Sequence, residues 1–106
     1  MLLNEADSKY LELAAKQKGH RVRHQVDDDG PRETRTKVRW ADMVVATGEL
    51  GENAVGALYL AFDLKKDVCI VGEVVPVWAS RYWRTQTVEQ WARVLPEIPQ
   101  QAELFT

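Results

Sequence analysis

The chain has 106 residues, enough for one domain that buries about two thirds of the surface its unfolded form would expose. With 45% apolar and 28% charged residues it lies outside the disordered and fibrous classes. A net charge of −2 excludes polyanion binding through overall charge, no apolar run approaches the roughly 18 residues of a membrane span, and the opening Met1-Leu2-Leu3-Asn4-Glu5 has no positively charged leader; a cytoplasmic protein with no membrane partner is expected.

From about Asn4 to Lys18 the spacing of Leu11, Ala14 and Ala15 predicts a helix, with Lys16 and Lys18 in its last turn and Gly19 as its stop. Two alternating stretches follow, His20 to Val26 and Thr34 to Trp40. The turn formers Asp27-Asp28-Asp29-Gly30-Pro31 lie between them, so a β-hairpin is predicted. The small and apolar residues of 41–66 suit a buried helical region broken near Gly48 or Gly51. A core strand over 54–64 is the alternative, because short apolar runs do not discriminate. A further core strand is predicted over Val68 to Val77, and Thr87 with Gln90 three residues on forms a capping box for a short helix ending before Pro96. The expected fold class is therefore α+β, a single small domain over 1–95 followed by a flexible tail over 96–106.

The tail carries Gln101, Ala102, Glu103, Leu104 and Phe105. This order resembles the peptide by which bacterial proteins hold the DNA-polymerase sliding clamp: a glutamine, a variable residue that is often leucine, a small or acidic residue, then leucine and phenylalanine. Gln101, Leu104 and Phe105 match, Glu103 fills the acidic place, and Ala102 departs from the commoner leucine, which weakens the expected affinity. The resemblance covers five residues. It implies the sliding clamp as partner and a role as a small accessory or inhibitory protein of DNA replication or repair, of the kind encoded by phages or mobile elements. Physically, Leu104 and Phe105 each gain about 1.5–3 kcal/mol on entering a pocket, and the Gln101 amide can donate and accept at its rim. Folding of the two side chains back onto the domain is the plainer reading.

In the expected hairpin, Arg21 and Arg23 share one face with Arg35, Lys37 and Arg39, a basic ribbon suited to DNA phosphates. The plainer reading is a solvated face paired with Glu33 and the Asp27–Asp29 run. Glu49 and Glu52 have the spacing of a Mg²⁺ pair on a helix, which a nuclease or nucleotide hydrolase would use, with Asp63, Asp67 or Glu73 needed as a second acidic cluster; none of them repeats the spacing. Carboxylates favoured at a helix start explain the pair more simply. His20 and His24 lack further ligands at zinc spacing, and Cys69, between Val68 and Ile70, reads as a small buried hydrophobe. Trp78, Tyr82 and Trp83 could form a hot spot for an unrelated protein, with burial in the core as the commoner fate of such rings. No catalytic residue, metal or cofactor is assigned.

Overall fold

Leu2 and Leu3 open a sheet. In the computed structural model, which describes residues 1–4, 9–26, 28–47, 50–72 and 77–98, they sit in strand β1 (Leu2–Asn4), both fully buried. Helix α1 (Lys9–Gln17) follows, then β2 (Arg23–Gln25), α2 (Pro31–Trp40), β3 (Met43–Thr47), α3 (Glu52–Asp63), β4 (Asp67–Val71), α4 (Val77–Ser80), β5 (Arg84–Gln86) and α5 (Val88–Val94). The five strands form one sheet in the order β2-β1-β3-β4-β5, and every neighbouring pair is parallel. Parallel neighbours need crossover connections, which is why helices alternate with strands along the chain.

This corrects the α+β expectation. The predicted hairpin does not exist: residues 23–25 are a strand, but Thr34 to Trp40 belong to a helix. The alternation of Thr, Val and Trp with basic residues favoured a strand by propensity. The burial follows a helical period instead, since Thr34, Val38 and Ala41 are the buried positions. Local chemistry agrees, with Pro31 opening the helix and the Glu33 carboxylate accepting from the Gly30 N–H at 3.1 Å. The central region, expected as a broken helix, is instead β3 followed by α3.

The two sheet faces follow the period-two alternation of strand side chains. Leu2, Val44, Ala46, Val68 and Ile70 face α2, α3 and α4, meeting Val38, Ala57, Leu58, Ala61 and Ala79. Leu3, Val45, Cys69 and Val71 face α1 and α5, meeting Leu11, Ala15 and Trp91. Because both faces are covered, the central strands β3 and β4 read as nearly continuous apolar runs.

Two helix ends match the expectation, the stop of α1 and the start of α5, whereas the helix predicted from Asn4 begins only at Lys9, Asn4 being the last residue of β1. Gly19 takes φ 87° and stops α1, with the His20 N–H reaching the Ala15 carbonyl at 3.0 Å. Thr87 and Gln90 make the reciprocal capping bonds of α5, each at 3.1 Å. Lys18 does more than complement its own helix: its ammonium donates to the Ala92 and Leu95 carbonyls at 2.7 and 2.8 Å, closing the end of α5. The Ile98 N–H then donates to the Lys18 carbonyl at 2.7 Å, and His20 Nε2 lies 2.7 Å from the Pro96 carbonyl, so the chain after α5 is laced to the α1–β2 turn.

Candidate functional site

The strand order reverses its direction of growth between β1 and β3: β2 is added on one side of β1, and β3, β4 and β5 on the other. The connections leaving two neighbouring strands then depart to opposite faces. Open parallel sheets hold ligands in the crevice this leaves at the carboxyl edge. Here that edge is built from neutral polar groups. Asn4 ends β1, and its Oδ1 accepts from both the N–H (3.2 Å) and the hydroxyl (3.0 Å) of Thr47, the last residue of β3. Gln25 ends β2 opposite Asn4, is buried, and donates from Nε2 to the Asn53 carbonyl at 2.6 Å and to the Thr34 hydroxyl at 3.5 Å.

The start of α3 completes this edge. Gly51 is its N-cap and provides no side-chain bond to the first turn, while Glu52, exposed in that turn, is favoured there by the helix dipole. Glu49 and Glu73 lie outside the described residues, so the Glu49/Glu52 pair has no described geometry. Asp63 and Asp67, candidates for a second acidic cluster, lie at the far end of α3 and the start of β4, about 16 Å away along a helix of this length. Among the described residues no three His, Cys, Asp or Glu side chains gather as metal ligands.

The five cations of the expected ribbon are divided between two elements. Arg21 and Arg23 lie at and before β2, and Arg35, Lys37 and Arg39 on α2. The Arg23 guanidinium stacks 4.4 Å over the Trp40 ring. The Lys37 ammonium is held by the Asp29 carboxylate at 2.6 Å and the His24 carbonyl at 2.8 Å. Burial pushes the Asp29 carboxyl up, but the bonds from Lys37 and the Val26 N–H outweigh it and hold the group below the usual carboxylate range. Arg21, Arg35 and Arg39 are exposed. The physical reason for the correction is period: a helix distributes residues 35, 37 and 39 around its circumference, where a strand would align them.

The remaining candidates are structural. His24 Nε2 sits 3.1 Å from Glu12, which also pairs with Lys16 at 2.8 Å. Cys69 is fully buried, and its Sγ lies 3.3 Å from Gln86 Oε1. Burial raises its thiol pKa, more than the nearby Arg84 lowers it, so the group stays protonated at neutral pH. Trp83 is buried, with Tyr59, Trp78 and Tyr82 around it at ring distances of 5.7, 6.1 and 5.9 Å. Trp78 and Tyr82 are exposed, so the aromatic group is partly core and partly surface. Gln101, Ala102, Glu103, Leu104 and Phe105 all lie outside the described residues.

Asn4, Gln25 and Thr47 were not singled out from the sequence. A usable signal existed: in Met43-Val44-Val45-Ala46-Thr47 a polar residue terminates a buried apolar run, the pattern of a strand delivering a side chain to a sheet edge.

No protein-family model matches this chain, and no curated protein does. Among solved structures it is similar to the crystal structure of the flavodoxin-like domain of a Synechococcus sp. protein, with TM-score 0.58 and 15% sequence identity, over 95% of this chain and 85% of that one. The likeness concerns the fold, and the body of this chain is flavodoxin-like: a parallel sheet with helices between its strands. Among the described residues no helix is long and apolar enough to cross a membrane.

Proposed function

We propose a two-part protein: an α/β body that binds a small hydroxyl-rich ligand of the nucleoside or nucleotide class at the β1–β3 crevice, and a tail that addresses it to a partner. The observation carrying the first part is the Asn4–Thr47 pair at the point where the strand order reverses. With Oδ1 of Asn4 occupied by Thr47, its Nδ2 amide is the donor left for a ligand acceptor. The Glu52 carboxylate, exposed in the first turn of α3, can accept from a ligand hydroxyl or act as a general base.

A panel of nucleosides and mononucleotides tested by thermal shift checks this. One class is expected to raise Tm by the equivalent of about 2.7 kcal/mol at a hundred times its Kd, and Asn4→Ala to abolish the rise. Glu52→Gln would bind normally; if the body is a hydrolase, that variant alone would lose turnover. A flat response across the panel removes the reading.

The second part rests on the order Gln101, Ala102, Glu103, Leu104, Phe105. Docked in the sliding clamp, this peptide would make the chain a small accessory or inhibitory factor of DNA replication or repair. Capture of purified bacterial clamp by the wild-type chain is expected, and Leu104→Ala with Phe105→Ala should lower it at least tenfold, since each side chain brings about 1.5–3 kcal/mol of burial. Equal capture by both would eliminate the clamp as the tail's partner.

A further inference from the structure

At the opposite end of the sheet from the crevice, the close of α3 and the start of β5 bound an open groove of about 620 Å³. Phe62 and Tyr82 line it, 58% and 60% exposed, and Tyr59 (53%) and Trp78 (38%) continue the aromatic surface beyond it around Trp83. Rings of this size left in water on one side of a small domain mark a binding surface.

The charges of the groove say what it binds. Lys65, Lys66 and Arg84 line it, against Asp63 and Asp67. Asp67 is engaged with Arg84 at 3.5 Å. Arg39, whose carbonyl receives the Lys66 ammonium at 3.2 Å, and Arg81, next to Tyr82, lie on the flanking segments. Three cations and two carboxylates line the groove, and the flanking segments add Arg39 and Arg81 against Asp42, in a chain whose net charge is −2, so this end is more positive than the molecule as a whole. Lys65 takes φ 57°, and the Lys66 N–H reaches the Ala61 carbonyl at 2.8 Å, a fixed turn ending α3 that holds both lysines on the same rim as Phe62.

We propose that this groove binds single-stranded nucleic acid, with bases stacked on Phe62 and Tyr82 and phosphates held by Lys65, Lys66 and Arg84. Exposed ring faces suit unpaired bases, whose π-faces are accessible, and are of no use to a closed duplex. Several rings in succession suit a strand better than a lone nucleotide. A second copy of the chain is disfavoured because it would bring the same positive rim against itself. The site is separate from the β1–β3 crevice and does not depend on it.

The test is fluorescence anisotropy of a labelled fifteen-nucleotide oligothymidylate titrated with the full chain. Three phosphate contacts should give a log–log salt slope of about −2, a loss of roughly 20-fold between 50 and 200 mM salt. Phe62→Ala with Tyr82→Ala should weaken binding about tenfold or more while keeping that slope. Lys65→Glu with Lys66→Glu should flatten the slope and remove most of the binding, whereas Arg21→Glu, just ahead of β2 at the opposite edge of the sheet, should change neither the slope nor the Kd by more than about twofold. Circular dichroism melts confirm that each variant is folded. The proposal is overturned by no binding at 50 mM salt, by equal affinity for the duplex, or by wild-type affinity in the aromatic variant. Sedimentation showing a dimer that this variant dissolves would overturn it as well, assigning the face to a second copy.

Discussion

Trp91→Ala is expected to lower the free energy of unfolding by about 4 kcal/mol, whereas Trp91→Phe should cost no more than about 1–2 kcal/mol. Trp91 is 1% exposed and is the largest fully buried side chain among the described residues. It fills the space between α5, Leu3, Val45 and Cys69 of the sheet, and Leu11 of α1, so truncation removes its transfer energy and leaves a cavity that the flanking helices can only partly close. Its indole N–H finds no hydrogen-bond partner among the described residues. Phenylalanine therefore gives up some volume but also removes a donor that is unsatisfied when buried, and the two effects oppose each other. Urea denaturation of the three proteins decides the matter. A phenylalanine variant as weak as the alanine variant would mean that the N–H carries a bond the structure does not contain. Against a total stability of about 5–15 kcal/mol for a domain of this size, the alanine loss is large enough to leave a visible unfolded fraction.

The second expected result concerns pH. Gln25→Glu should be close to wild type near pH 4 and about 3 kcal/mol less stable at pH 7. Gln25 is 4% exposed and its Nε2 donates to the Asn53 carbonyl. A protonated glutamic acid can keep that bond through its O–H, but a carboxylate would press a buried charge against a carbonyl oxygen. Its folded pKa must then rise above the unfolded value of about 4.3. A raised carboxyl contributes stability that is intact below the unfolded value and lost as pH climbs, at about 1.4 kcal/mol per unit until the folded protein also ionises. Denaturation midpoints measured from pH 4 to 8 check this, with Gln25→Leu as the control whose profile parallels wild type. A flat profile for the glutamate variant would show that the side chain reaches water and that the tie between β2 and α3 is not closed.

Legibility in this chain followed the range of the forces involved. The stop at Gly19, the capping box of Thr87 and Gln90, the buried thiol of Cys69 and the first part of the strand predicted over Val68 to Val77 are consequences of neighbouring residues, and each could be read from a short window; that strand ends at Val71, and Val77 instead opens α4. Strand β1 offered two leucines and β5 no apolar residue: Arg84-Thr85-Gln86 is a strand only because β4 lies alongside, with Cys69 opposite Arg84, Ile70 opposite Thr85 and Val71 opposite Gln86. No local preference marks a polar three-residue strand. The error at Thr34 to Trp40 had a different origin, for there β-propensity and a helical burial period competed, and packing of Val38 and Ala41 against the sheet decided for the helix.

What the amino-acid sequence determined unaided was therefore local: helix ends, the apolar core segments, the chain's size and charge, and the linear order Gln101 to Phe105. Tertiary structure alone decided which strands are neighbours, and through that the placement of both proposed sites on the body. Asn4 and Thr47 are far apart in sequence and meet because β1 and β3 are adjacent and parallel. Phe62 and Tyr82 share a groove because the end of α3 returns to the edge where β5 begins. Such pairings repay their loop-closure entropy only when the whole sheet assembles, so no stretch of the chain carries their signature by itself.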